Sequence, residues 1–138
     1  MSAEVWFIDT NILVYLFDRD APGKKAVCER LLREHTELRL STQVLQEFYV
    51  AVTRKLAPPL DPEQALAVID NLRKFPVATI SPDLVMRGIR RSIESKLSYW
   101  DALIVETALT ERADVLVTED LQDGWMVDSM RVWNPFTP

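Results

Sequence analysis

The stretch Val5-Trp6-Phe7-Ile8-Asp9-Thr10-Asn11-Ile12-Leu13 decides the fold. Val5 to Ile8 is apolar without alternation, so the strand it predicts, opening at Glu4, has no face reserved for water. Such runs belong to parallel sheets covered on both sides. The run stops at Asp9, and an apolar segment from Ile12 to Phe17 follows almost at once. A carboxylate is thereby fixed at the carboxyl end of a buried strand, the edge where open α/β sheets bind ligands.

Outward from this stretch, strands and helices alternate. Asp18-Arg19-Asp20-Ala21-Pro22-Gly23 is turn chemistry, and Lys24 to Glu34 reads as a helix. Leu38-Arg39-Leu40 predicts a second strand. Ser41 and Thr42 are N-cap residues for a helix with Leu45, Phe48, Tyr49, Val52 and Leu56 on one face, ending at Pro58-Pro59. Asp61-Pro62-Glu63 opens another helix through Leu66, Ile69 and Leu72. Val77 to Ile80 is a third strand, and Ser81-Pro82-Asp83 starts a helix through Ser95. Ser98 caps a helix from Tyr99 to about Arg112. Val115-Leu116-Val117 and Met130 to Trp133 complete about five strands. The pattern predicts one α/β domain spanning residues 1–138, with a mostly parallel sheet between helical layers.

Composition narrows the chemistry. The chain has 138 residues, with 16 Lys and Arg against 21 Asp and Glu, a net charge of −5. It has one His (His35), one Cys (Cys28) and three Gly. A four-ligand His/Cys zinc site and a disulfide framework are therefore excluded within one chain. Glycine-rich phosphate cradles need clustered glycines that this chain lacks. A His-based triad has only His35 to use, in the charged run Arg33-Glu34-His35-Thr36-Glu37, which reads as a solvated helix end. No segment approaches the ~18 apolar residues of a membrane span. Met1-Ser2-Ala3-Glu4 lacks the pattern of a signal peptide, and a lone Cys suits a reducing compartment. The expectation is a soluble, cytoplasmic protein whose chemistry rests on carboxylates.

Four acids stand out. Asp9 and Asp120 follow predicted strands. Asp101 precedes Ile104, Val105 and Ala108 by three, four and seven residues, on the apolar side of its helix. Glu47 lies near an apolar stripe early in its own helix. Each has a plain structural role open to it: Asp9 as a helix cap, Asp101 in the pattern Ser98-Tyr99-Trp100-Asp101, Asp120 in a turn, Glu47 beside a helix dipole. Together they would converge on one side of a parallel sheet. Oxygen ligands without Cys or His suit Mg²⁺ or Mn²⁺. Such a site supports phosphoryl transfer or phosphodiester hydrolysis.

In these residues the chain resembles the PIN domain family, the nuclease fold of VapC-type toxins of toxin–antitoxin systems. The matching pieces are Phe7-Ile8-Asp9-Thr10-Asn11-Ile12-Leu13, Ser41-Thr42-Gln43-Val44-Leu45-Gln46-Glu47-Phe48, Tyr99-Trp100-Asp101-Ala102-Leu103-Ile104 and Leu116-Val117-Thr118-Glu119-Asp120-Leu121-Gln122. Val132-Trp133-Asn134-Pro135-Phe136 also looks like a typical end of such chains. The resemblance implies a three-layer α/β/α fold and a metal-dependent endoribonuclease. It implies that Asp9, Asp101 and Asp120 hold one or two Mg²⁺ or Mn²⁺ ions, that Glu47 orients or activates water, and that Asn11 and Thr118 position the acids or water. It further implies a homodimer and a cognate antitoxin. Where a His is expected before Gly124, Asp123 stands instead; it either adds a carboxylate to the rim of the site or, as the favoured reading, forms an Asp-Gly turn.

The remaining features concern substrate and partners. Arg87, Arg90 and Arg91 share a helix face, and Arg87 and Arg90 are the candidate contacts to an RNA backbone. Lys24, Lys25, Arg30 and Arg33 form a second basic segment, Arg54 and Lys55 a third. Trp6 and Trp133 read as core residues; Trp100, beside Asp101, is placed either to line the site or, as the favoured reading, to pack. Trp125-Met126-Val127 reads as a loop whose apolar surface suits a dimer or partner. The alternatives are a haloacid-dehalogenase-like phosphatase, which needs an acid where Asn11 stands, and a phosphorelay receiver, which needs a Lys that Trp133-Asn134-Pro135 does not supply. A third is a non-catalytic RNA-binding module of the same fold.

Overall fold

A computed structural model describes residues 3–138; Met1 and Ser2, the first two residues of the expected domain and of the stretch Met1-Ser2-Ala3-Glu4, lie outside the described residues. The elements run β1 (Trp6–Ile8), α1 (Thr10–Tyr15), α2 (Pro22–Glu34), β2 (Leu38–Ser41), α3 (Thr42–Arg54), α4 (Pro62–Leu72), β3 (Val77–Ala78), α5 (Pro82–Ser95), α6 (Tyr99–Thr110), β4 (Val115–Val117), β5 (Met126–Val127) and β6 (Met130–Trp133). The strands form one sheet in the order β3-β2-β1-β4-β6-β5. Every pairing is parallel except β5 with β6.

The order explains the layers. From β1 the chain steps outward to β2 and β3, then crosses back to β4 on the other side. Right-handed crossovers in opposite directions place helices on opposite faces of a sheet. The boundary between β1 and β4 is therefore a switch point, where a crevice opens at the strands' carboxyl ends. The central strands are apolar on both faces as expected: Phe7, Ile8, Val115, Leu116 and Val117 are fully buried. Helix α6 buries Ala102, Leu103, Ile104, Val105, Thr107 and Ala108, most of its circumference. Helix α5 packs against it through Gly88, where an added Cβ would lie 3.2 Å from both Leu103 Cδ1 and Tyr99 Cε1.

Several sequence expectations need correction. The sheet has six strands, not about five: Met126–Val127, expected in a loop, pairs antiparallel with β6 across a two-residue turn in which Asp128 has φ 52°. A strand of two residues carries too little periodicity to be read. Trp125 packs partly buried against the core, Val127 is buried, and Met126 is exposed. Trp6 and Trp133 pack at the margin of the core, half-buried. The run Arg33 to Glu37 is a largely exposed helix end, but His35 within it is half-buried: its ring stacks on Trp6 at 3.7 Å, and its Nε2 lies 2.6 Å from the Glu4 carbonyl. Strand β3 ends at Ala78, and α2 begins at Pro22, whose fixed φ suits a first helical turn. No helix among the described residues is long and apolar enough to cross a membrane.

Candidate active site

Asp9 directly follows β1 and caps α1, because its extended backbone and short carboxylate suit both places. Its Oδ1 accepts from the Thr10 backbone N–H at 2.7 Å. Its Oδ2 accepts from the Thr118 hydroxyl at 2.8 Å and from Asn11 Nδ2 at 3.4 Å. The residue is 5% exposed. Burial pushes its carboxyl up to about 7; the Thr118 and Thr10 hydrogen bonds oppose the shift, and the nearby Asp120 and Glu47 charges add to it. A carboxylate buried without a cation stores unfavourable energy that functional sites often carry.

The other three acids gather around it. Asp120 follows β4 and is exposed, and its Oδ2 accepts from Asn11 Nδ2 at 2.9 Å. Asn11 thus donates to two acids while its Oδ1 accepts from the Glu119 backbone N–H. Thr118, fully buried, donates to Asp9 and accepts from the Asp120 backbone N–H at 3.0 Å. Glu47, one turn into α3, accepts at Oε1 from the Thr10 hydroxyl at 2.8 Å and at Oε2 from Gln43 Nε2 at 3.3 Å. Asp101 lies in the first turn of α6, capped by Ser98. Burial raises its pKa; Ser98 opposes the rise, and Asp120 and Glu47 reinforce it.

All four acids line one cleft of about 680 Å³, with Asn11 at its wall and Thr118 behind Asp9. The lining also includes Thr10, Asp18, Gln43, Gln46, Lys55 and Trp100. It therefore holds five acids against one Lys. Among the described residues, no three His, Cys, Asp or Glu side chains are arranged to hold a metal ion as they stand. The donor chemistry nonetheless fits a hard divalent cation: the cleft offers only carboxylate, amide and hydroxyl oxygens as strong ligands. Two of its acids are driven toward the neutral form by burial and like charge, a stress a cation relieves.

Other sequence candidates fall elsewhere. Arg87 donates to the Thr110 hydroxyl at 3.4 Å, at the opposite end of α6 from Asp101, and neither Arg87 nor Arg90 lines the cleft. Arg91 pairs with Glu106 at 2.7 Å. Asp123 accepts from the Asn134 backbone N–H and the Thr137 hydroxyl, tying down the C-terminal segment, and Gly124 beside it has φ 86°. The sequence reading missed Thr10, Asp18, Gln43 and Lys55 as cleft residues. Of the two places open to Trp100, the favoured packing gives way to the site lining: Trp100 is 60% exposed at the rim. The signal for Thr10 and Gln43 was their spacing to acids, one residue from Asp9 and four from Glu47.

The model of the PIN domain family matches residues 6–122. No curated protein matches the chain. Among solved structures, a toxin–antitoxin complex from Klebsiella pneumoniae is similar at 24% identity and a TM-score of 0.71, covering 94% of this chain and 97% of that one. VapC20 of Mycobacterium tuberculosis, a sarcin–ricin loop cleaving toxin, is similar at 17% identity and a TM-score of 0.65, covering 80% and 86%. The structure of FitAB bound to a DNA fragment is similar at 16% identity and a TM-score of 0.68, covering 97% of each chain.

Proposed function

Since this chain belongs to the PIN domain family, we propose that it is a Mg²⁺- or Mn²⁺-dependent endoribonuclease, the toxin of a type II toxin–antitoxin pair. The observation that carries the reading is the cleft itself, where Asp9, Glu47, Asp101 and Asp120 meet with neutral hydrogen-bond donors between them. The resemblance of the fold to solved toxin–antitoxin complexes supports a cognate antitoxin as partner.

In this reading Asp9, Asp101 and Asp120 hold the cation. When bound, a divalent ion offsets phosphate charge and makes water a stronger nucleophile. Glu47, held by Thr10 and Gln43, orients the attacking water and accepts its proton. Asn11 and Thr118 keep Asp9 and Asp120 in register across the β1–β4 boundary. Lys55, on the cleft lining, is placed to meet a substrate phosphate. Arg87 and Arg90 would reach only an RNA long enough to run over α5. A homodimer in the cytoplasm completes the proposal.

The phosphatase alternative loses its second acid: the residue two after Asp9 is Asn11, which serves as a donor to carboxylates. The test is incubation of the pure protein with defined RNAs and Mg²⁺ or Mn²⁺, with EDTA and Asp9→Asn controls. Cleavage that needs both the cation and Asp9 is expected. Absence of metal-dependent cleavage of every RNA tried overturns the reading in favour of a non-catalytic RNA-binding module.

A further inference from the structure

Gln43 is 4% exposed, yet it is an amide in the wall of an acidic cleft. Its Nε2 donates to Glu47 Oε2 at 3.3 Å and to the Trp100 carbonyl at 3.1 Å. Its Oε1 is buried with no hydrogen-bond partner, a state shared by no other side-chain N or O atom among the described residues. The amide cannot be turned over to mend this: the flipped group would set Oε1 against two oxygens and leave the NH₂ unpaired. The orphaned oxygen follows from using one amide as a double donor. An apolar residue of similar length would fill the same space without burying an unpaired oxygen of its own, so packing alone does not account for Gln43.

The two acceptors explain what the amide does. Glu47 is four residues on in α3, the spacing at which helical side chains meet. Trp100 lies 57 residues away, in the first turn of α6 and next to Asp101. We propose that Gln43 is a positioning residue: its amide ties the Glu47 carboxylate to the first turn of the helix carrying Asp101, and so fixes the geometry between two cleft acids on different helices. This rests on the nuclease reading above, with Glu47 as the group that orients water. Gln43 touches neither substrate nor cation in this assignment; it acts through Glu47.

The test uses Gln43→Met, which keeps length and apolar bulk and removes the donor. The expected result is a fall in kcat on the order of 10- to 100-fold, as a misplaced catalytic group produces, with KM changed less than about 2-fold. Melting temperature in EDTA should hold or rise. In a Glu47→Gln background, adding Gln43→Met should cost no further activity, because the residue through which it acts is already lost. An unchanged kcat, or an equal loss in the Glu47→Gln background, overturns the proposal. If the wild-type protein cleaves no RNA, the nuclease reading fails separately. The tether is then decided by the Gln43 side-chain amide protons in NMR. Their exchange protection must fall on Glu47→Ala, and unchanged protection overturns it.

Discussion

Replacing Asp9 by Asn should abolish cleavage and, in the absence of metal, make the protein more stable. Asp9 has its carboxyl pushed from an ordinary 3.8 up to about 7, chiefly by burial. At about 1.4 kcal/mol per pH unit, ionising it in the folded protein costs about 4 kcal/mol more than in the unfolded chain. Asparagine removes that cost. It retains an oxygen to accept from the Thr10 N–H, but its Nδ2 replaces an oxygen that accepts from Thr118 and Asn11. Those two lost bonds return about 1 kcal/mol each. The net gain is about 2 kcal/mol, or roughly 8 °C in melting temperature at about 4 °C per kcal/mol for a chain of this size.

The pH dependence gives the sharper check. Because the folded-state value lies above the unfolded one, the folded wild-type protein binds more protons between about pH 4 and pH 7. This group's contribution to stability is therefore highest below pH 4, falls as the pH rises toward 7, and is flat beyond it. Asp9→Asn lacks that slope. Near pH 4 the order of the two proteins should invert, since only the lost hydrogen bonds then distinguish them. Thermal denaturation in EDTA at pH 8, 6 and 4 measures the effect. Adding Mg²⁺ at pH 8 should raise the wild-type melting temperature, as a ligand of the folded state must, and leave the variant unmoved. A variant that melts at or below wild type at pH 8 in EDTA refutes the claim that ionised Asp9 burdens the metal-free fold.

Two further outcomes follow from the geometry. Lys55→Met should raise KM several-fold and flatten the salt dependence of RNA binding by about 0.7 in log–log slope, the loss of about one phosphate contact to a single strand; equilibrium binding across a salt series measures it. Gly88→Val places two methyl groups where one Cβ already meets Leu103 and Tyr99 at 3.2 Å. Stability should fall by about 1–3 kcal/mol through the α5–α6 contact, read by urea denaturation, with KM for RNA unchanged.

How far the sequence spoke depends on the range of each signal. Phe7-Ile8-Asp9 was legible because an unbroken apolar run and its abrupt acid stop are both local, and the parallel order of β1 and β4 then brought Asp120 alongside. Glu47 and Asp101 were legible as acids on apolar stripes. Trp100 was not: adjacency to Asp101 does not say whether an indole turns inward or outward, and here it turns to the rim. Arg87 and Arg90 illustrate the converse. Their spacing gives a shared helix face, but only the packing of α5 on α6 shows that Arg87 leans toward Thr110, away from the cleft. Strand β5 and the His35 stack on Trp6 arise from tertiary contacts across the sheet's margin, where local periodicity carries nothing.

Glu119 and Asp120 differ sharply in how their charge is met. They are adjacent in sequence, yet Glu119 is met by the Lys24 ammonium and the Tyr15 hydroxyl. Burial opposes its ionisation, and those two partners still hold its carboxyl below the usual range. Asp120 instead receives an uncharged amide from Asn11. The same holds around the cleft: Thr10, Gln43 and Thr118 supply hydrogen bonds to the acids, and none supplies positive charge. Neutral donors orient carboxylates without cancelling them. Had Lys or Arg taken those places, the acids would be stabilised and would have little left to offer an incoming ion. Orientation by neutral groups leaves the negative charge unspent, which is what a site must do if a divalent cation is to be drawn in and held there.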